Sequence, residues 1–406
     1  MGWSGKEKQT FRDAILDAYR DYGRLKIFVR DELDWALPEI SQDPSLQIVT
    51  FELIEWAESR GELDRVLNLF LAANPKCSHL RSVCRDSAPN SGPFIYGPAI
   101  TPEGFYGRSP LIREIKTRIG GVTPQCVNVV GMRRAGKSSL LRLIAEDSGQ
   151  FFSEDCQPLI VNLDLSDRRF QSPDGIQEGL RAGIMEQGVR SPWPENCDDP
   201  FVFGEGLERL REEGRRLVVL LDEFEAIAQH LAAFQGWGED WRAKASAGVL
   251  TLVVAGMRPI GEIYGELGLT SPFGNIFSQS IVGPLAEADW QKLVGDRRPE
   301  TTAEEMDWIG RVSGGWPFYV QMAGAMLWQW GEIAQAEEEF LFQVQQGYFF
   351  AQLWRSLKPK EKRALRGESV RRGTVRLLER FGILRADGQP FSSLFWEVIE
   401  ELEDLE

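Results

Sequence analysis

Histidine and cysteine are scarce in this 406-residue chain, and neither is arranged for chemistry. The two histidines, His79 and His230, stand far apart, and the five cysteines, Cys77, Cys84, Cys126, Cys156 and Cys197, are odd in number and form no CxxC pair. That pattern argues against a disulfide framework and against a zinc site. Long apolar runs are missing as well: no stretch reaches the about 18 uncharged residues that would suggest a bilayer crossing, so no membrane association is expected. Lys6, Glu7, Lys8, Arg12 and Asp13 interrupt the first twenty residues. No signal peptide is readable there, and a cytoplasmic protein is expected. Internal repeats, HExxH and G-x-S-x-G are absent, which leaves no sign of a solenoid, a zinc protease or a serine hydrolase.

Basic side chains are outnumbered, 46 against 61, for a net charge of −15. Such a surface repels nucleic acid over much of its area while leaving room for a local basic patch. Residues 1–85 carry 12 basic and 14 acidic side chains and residues 350–406 carry 11 and 10, so the excess acid lies in the middle. The length suits two or three domains, and the 43% hydrophobic and 26% charged content is that of a globular protein.

Residues 7–73 show apolar positions at helical spacing in successive runs: Phe11, Ile15, Leu16 and Tyr19; then Leu25, Phe28, Val29, Leu33 and Leu37; then Ile48, Phe51, Leu53, Ile54 and Trp56; then Leu63, Val66, Leu67, Phe70 and Leu71. Pro38, Pro44, Gly61 and Pro75 fall between or after them, as helix breakers should. An all-α bundle over 1–85 is expected. Residues 86–104 hold four prolines and three glycines and read as a linker. From 105 onward, buried β-branched runs at 127–130, 159–163, 217–221 and 249–255 alternate with helical patterns, the mark of an α/β parallel sheet over 105–284. A helical stretch at 285–348 and a final segment at 349–406, read as three helices and a hairpin at Asp387-Gly388, complete the chain.

Gly131-Met-Arg-Arg-Ala-Gly136-Lys137-Ser138 fits GxxxxGK[ST], with an apolar strand before it and a helical run from Ser139 after it. Glycines at these positions let backbone N–H groups curl around phosphates. Lys137 would neutralise phosphate oxygens, and the Ser138 hydroxyl would coordinate Mg²⁺. The strand 217–221 ends in Asp222-Glu223-Phe-Glu225 about 85 residues later. Asp222 would hold Mg²⁺ through its water shell, and Glu223 would orient the attacking water. Arg133, Arg134 and Arg258, the last following the strand 249–255, are candidates to reach the terminal phosphate. ATP rather than GTP is expected, since no [NT]KxD guanine signature occurs.

Phe105-Tyr-Gly-Arg108, the P-loop, the Leu-Leu-Asp-Glu-Phe-Glu strand end and Ser313-Gly-Gly-Trp-Pro317-Phe together resemble the STAND branch of AAA-related ATPases over roughly residues 105–400. The resemblance implies that Arg108 lines the base, that Gly315, Trp316 and Pro317 contact the nucleotide from a helical lid (285–348), and that a winged helix (349–406) follows. It also implies a switch that is closed with diphosphate and open and oligomeric with triphosphate, slow hydrolysis resetting it. A repeat-based ligand sensor, part of the fuller family pattern, is not expected after residue 400.

The run from Ile48 through Trp56-Ala57, Gly61 and Leu63, followed by Asn74-Pro75 and Leu80, resembles bacterial effector-associated death-like domains. That resemblance implies an adaptor in prokaryotic defence, pairing through residues 1–85 with a matching domain on an effector. Most of Phe51, Trp56 and Leu63 are expected to be core. An alternative is an origin-recognition-type ATPase that binds DNA through its C-terminal domain. It draws on the stretch 355–372, with eight basic residues against Glu361 and Glu368, and on Arg371, Arg372, Arg376 and Arg380, spaced to share a helix face.

Overall fold

The computed structural model describes residues 5–403 except 20, 34, 42, 44, 61, 74–91, 154–155, 196–198, 231–233, 267 and 269–271. Asn74, Pro75, Cys77, His79, Leu80, Cys84 and Cys197 lie outside the described residues, as do Pro44 and Gly61. Two compact units emerge, Met1–Gly92 and Pro93–Glu406.

The first unit is helical: α1 (Gly5–Ala18), α2 (Tyr22–Leu33), α3 (Leu37–Ile40), α4 (Leu46–Ser59) and α5 (Leu63–Ala73). Its core gathers Phe11, Tyr19, Phe28 and Phe70, with the Phe28 and Phe70 rings 4.3 Å apart. Leu37 does not extend α2 but opens α3. There Pro38 sits in the first turn, where its missing N–H costs nothing. Leu63 is buried, Trp56 is half-buried beneath the Arg60 guanidinium, and Phe51 is 51% exposed. Phe51 is thus not core, because Leu53, Ile54 and Ala57 take the inner face of α4.

The second unit opens with α6 (Ser109–Ile119) and alternates strands and helices: β1 (Cys126–Val130), α7 (Lys137–Glu146), β2 (Gln157–Asp164), α8 (Pro173–Glu186), α9 (Pro200–Glu212), β3 (Arg215–Asp222), α10 (Gln235–Ser246), β4 (Leu250–Gly256), α11 (Ile260–Glu266) and β5 (Phe277–Ile281). The sheet is parallel with order β2-β3-β4-β1-β5. All four expected strands are present. β5, Phe-Ser-Gln-Ser-Ile, lacks their apolar character because it is an edge strand and largely half-exposed. Along the central strands successive side chains enter opposite cores: Val218 and Leu220 join one, while Leu217, Val219 and Leu221 join the other.

The helices α12 (Glu287–Arg297), α13 (Ala303–Ser313), α14 (Pro317–Trp330) and α15 (Ile333–Gln346) follow, then α16 (Phe349–Ser356), α17 (Pro359–Leu365) and α18 (Arg372–Phe381). A tight hairpin with an antiparallel Leu384–Pro390 bridge turns at Gly388, and α19 (Phe395–Glu403) ends the described chain. One hydrophobic cluster runs from β1 through α14 to Phe391 and Phe395. The segment read as linker is structured from Pro93 on. Phe94 is buried against Gly324, and Ile95 N–H donates to Gln321 Oε1 (2.9 Å).

Candidate nucleotide-binding site

β1 ends mid-sheet and the 131–138 loop begins. Gly131 N–H donates to Gly256 O at the end of β4 (3.1 Å). A Cβ at Gly131 would stand 2.6 Å from Val282 O, so only glycine passes this close to the exit of β5. Gly136 has φ +93°, the left-handed cap from which α7 starts, and Leu140 N–H reaches back to its carbonyl (3.1 Å). The first amides of α7 have no partner within the helix, which makes its start a site for an anion. Lys137 is 4% exposed and its Nζ folds back onto Met132 O (3.3 Å). Burial lowers its proton affinity, against the pull of Glu223, Glu225 and Asp222.

β3 delivers Asp222 at its C-terminal end, where Asp222 Oδ1 accepts from Glu223 N–H (2.9 Å). Glu223 takes φ +50°, a conformation that costs a non-glycine residue about 1 kcal/mol. Burial raises its carboxyl pKa, Lys137 opposing, Asp222 and Glu225 adding. The two motifs therefore share one electrostatic environment. Ser138, in the first turn of α7, and Asp222 offer hard oxygen donors that suit Mg²⁺. Such an ion would take its remaining ligands from phosphate and water, since among the described residues no group of three or more His, Cys, Asp or Glu could hold a metal.

Residues 1–88 match the family model of EAD1, effector-associated domain 1. The chain shares the fold of the Walker-type ATPase PABY2304 of Pyrococcus abyssi, with a TM-score of 0.52 and 16% identity, over 76% of this chain and 99% of that one. This protein joins an effector-associated domain to a P-loop NTPase fold. The Aeropyrum pernix ORC1 protein in complex with DNA (TM-score 0.40, 14% identity, 76% of this chain and 85% of that one) and AMPPCP-bound DnaA from Aquifex aeolicus (TM-score 0.40, 11%, 77% and 93%) are more distant and add nothing to that assignment. No curated protein matches the sequence.

Around the P-loop, the other expected residues divide between the site and its supports. Ser139 Oγ accepts from Ile100 N–H (3.1 Å), and Arg142 donates to Ala99 O (2.9 Å), so the 93–104 segment lies along α7. Arg108 is buried with φ +61°, and Nη2 donates to Ala135 O (2.6 Å) and Gly283 O (2.9 Å). Burial, with Asp289 opposing, pushes it down to about 10. Its guanidinium thus braces the loop. Pro317 Cγ stands 3.9 Å from where a Cβ of Gly136 would be, which places the start of α14 over the P-loop. Gly315 packs on Trp290, and Trp316 turns away: its Nε1 donates to Gly382 O (3.1 Å) and its ring stacks on Phe391.

The three arginines expected at the terminal phosphate separate. Arg133 is exposed and adds positive potential near Lys137 and Glu223. Arg134 is held elsewhere, its guanidinium 4.0 Å from the Phe318 ring and 3.7 Å from the Phe349 ring, contacts worth about 1 kcal/mol each. Arg258 also points away from the loop. It pairs with Glu361 through both terminal nitrogens (2.8 and 2.9 Å) and donates to Ser356 O (2.9 Å). Glu225, to which the sequence assigns no role, accepts from Met257 N–H and from Arg258 N–H (3.1 Å), tying the second motif to the exit of β4. The only signal for it is its place in Asp-Glu-Phe-Glu.

Proposed function

We propose that this protein is a nucleotide-controlled switch of the STAND type that binds and slowly hydrolyses ATP with Mg²⁺, and so controls self-assembly and recruitment of an effector in prokaryotic defence. The observation that carries the reading is the shared environment of Lys137, Asp222 and Glu223 in a chain whose residues 1–88 match an effector-associated domain. Lys137 neutralises phosphate oxygens, its lowered proton affinity being restored by the anion. Ser138 and Asp222 would hold Mg²⁺, which would supply charge neutralisation at the phosphates. Glu223 orients the attacking water, and its raised carboxyl lets it take up a proton more readily than an exposed glutamate. Arg108 braces the P-loop through Ala135 O and Gly283 O, and the 93–104 segment lies along α7. Residues 1–85 supply the protein contact, with a matching domain on the effector as partner.

Lys137→Ala is expected to abolish ATP binding and nucleotide-dependent assembly by light scattering while the helical unit stays folded. Glu223→Gln should retain ATP and lose phosphate release; release equal to wild type would exclude hydrolysis at this site.

A second reading, DNA binding through a C-terminal winged helix, is favoured by one feature: Arg371, Arg372, Arg376 and Arg380, at and along α18, are all exposed, next to the hairpin. On that reading, binding to duplex DNA is independent of ATP, weakens steeply with salt and disappears when 350–406 are removed. Lack of salt dependence would rule it out.

A further inference from the structure

Only half of the Glu225 carboxylate is used. Oε1 accepts from Met257 N–H and from Arg258 N–H (3.1 Å) at the exit of β4, while Oε2 is shut off from solvent and has no hydrogen-bond partner. Among the described residues it is the one buried carboxylate oxygen in that condition. A buried acceptor left unpaired costs a fold about 1–3 kcal/mol, and more when it is charged, so its place calls for a donor.

That place is beside the P-loop. The carboxylate lies over Gly256, where a Cβ would stand 2.7 Å from Oε1 and 3.1 Å from Oε2. Gly256 O in turn accepts from Gly131 N–H (3.1 Å), at the first glycine of the loop. Since β3, β4 and β1 are neighbours in the sheet, Glu225 joins the exits of the first two next to the loop that leaves the third. Burial dominates the shifts of Lys137 and Glu223, and the charge of Glu225 adds to the pull on the first and to the repulsion that raises the second. Lys137 does not fill the gap, because its Nζ donates to Met132 O.

We propose that Glu225 Oε2 is a second acceptor for the attacking water, so that Glu223 and Glu225 hold one water between them. The inference rests on the proposed reading of the P-loop as a site of ATP hydrolysis. One carboxylate fixes one O–H direction of a water. A second fixes the other and turns a lone pair toward the terminal phosphorus. The water oxygen then bonds to phosphorus as the bond to the bridging oxygen breaks, and that electron pair leaves with the diphosphate. One proton passes through Glu223 to the released phosphate; the other stays on the attacking oxygen, hydrogen-bonded to Oε2. Two backbone amides anchor Oε1, so the free oxygen has a fixed direction.

Glu225→Gln tests the free oxygen and keeps the anchor. The backbone N–H groups require an acceptor, so the amide oxygen takes the place of Oε1 and its NH₂ stands at Oε2, a donor where an acceptor was. On the full chain with Mg²⁺, single-turnover phosphate release is expected to fall at least about tenfold. ATP and ADP affinities, by competition against a fluorescent nucleotide, should change by less than about twofold. Should this variant fail to fold, Gly256→Ala, whose methyl would displace the carboxylate, reads the same split between release and affinity. Unchanged release would overturn the proposal. So would a loss of release matched by weaker binding of ATP and ADP alike, since Glu225 would then shape the loop and not the water. Glu223→Gln separates the two failures: if it releases phosphate as wild type does, the site reading itself fails, whereas loss there with normal release by Glu225→Gln removes the second acceptor alone.

Discussion

Glu223 combines a left-handed backbone with a carboxyl that burial makes harder to ionise. Both oppose folding at neutral pH, and both place an acid beside Lys137. The sign of the pH dependence follows from the raised carboxyl. Below its unfolded pKa the group is protonated in both states and carries no penalty; as pH rises through the folded value, the cost of ionising it in place appears in full. Glu223→Gln should therefore melt above wild type at pH 7 without nucleotide, and the difference should shrink toward pH 4 in calorimetry. A constant difference would mean that the carboxyl titrates as if exposed. Neither cost was legible in the sequence, since an acid after an apolar strand looks the same strained or relaxed. The P-loop residues were legible because each needs a particular chemistry at a fixed offset: Gly131 for close approach, Gly136 for positive φ, Lys137 for charge.

Elements were legible where burial is uniform. β1, β3 and β4 are covered on both faces, so their sequences are continuous apolar runs. β5, polar at Ser278, Gln279 and Ser280, is held by register with β1 rather than by its own character. Residues 93–104 escaped for a related reason. A segment rich in proline and glycine looks like a linker until Phe94 packs on Gly324 and Ile95 bonds to Gln321, 226 residues away. The N-terminus of α13 shows the opposite case, a purely local device. Thr302 Oγ accepts from Glu305 N–H (3.2 Å) while the Glu305 carboxylate accepts from Thr302 N–H (2.6 Å), a reciprocal cap. Thr302→Ala is expected to destabilise the P-loop unit by about 1 kcal/mol, read as a lower urea midpoint with unchanged slope.

In the molecule as a whole, the arginines expected around one nucleotide are spread over several jobs. Arg108 braces the P-loop, Arg134 is clamped between Phe318 and Phe349, and Arg258 is tied to Glu361, so α14, α16 and α17 hold two of the arginines expected at the candidate site. The sequence by itself determined the helical first unit, the parallel sheet and the loop and strand-end motifs of the candidate site, because those depend on periodicity and on local motifs. Only the tertiary structure decided where the arginines point and which acids receive them. A guanidinium on a flexible stem can reach several anions, and Glu361, an isolated acid in a basic run, becomes the partner of Arg258 only when α17 packs against the exit of β4.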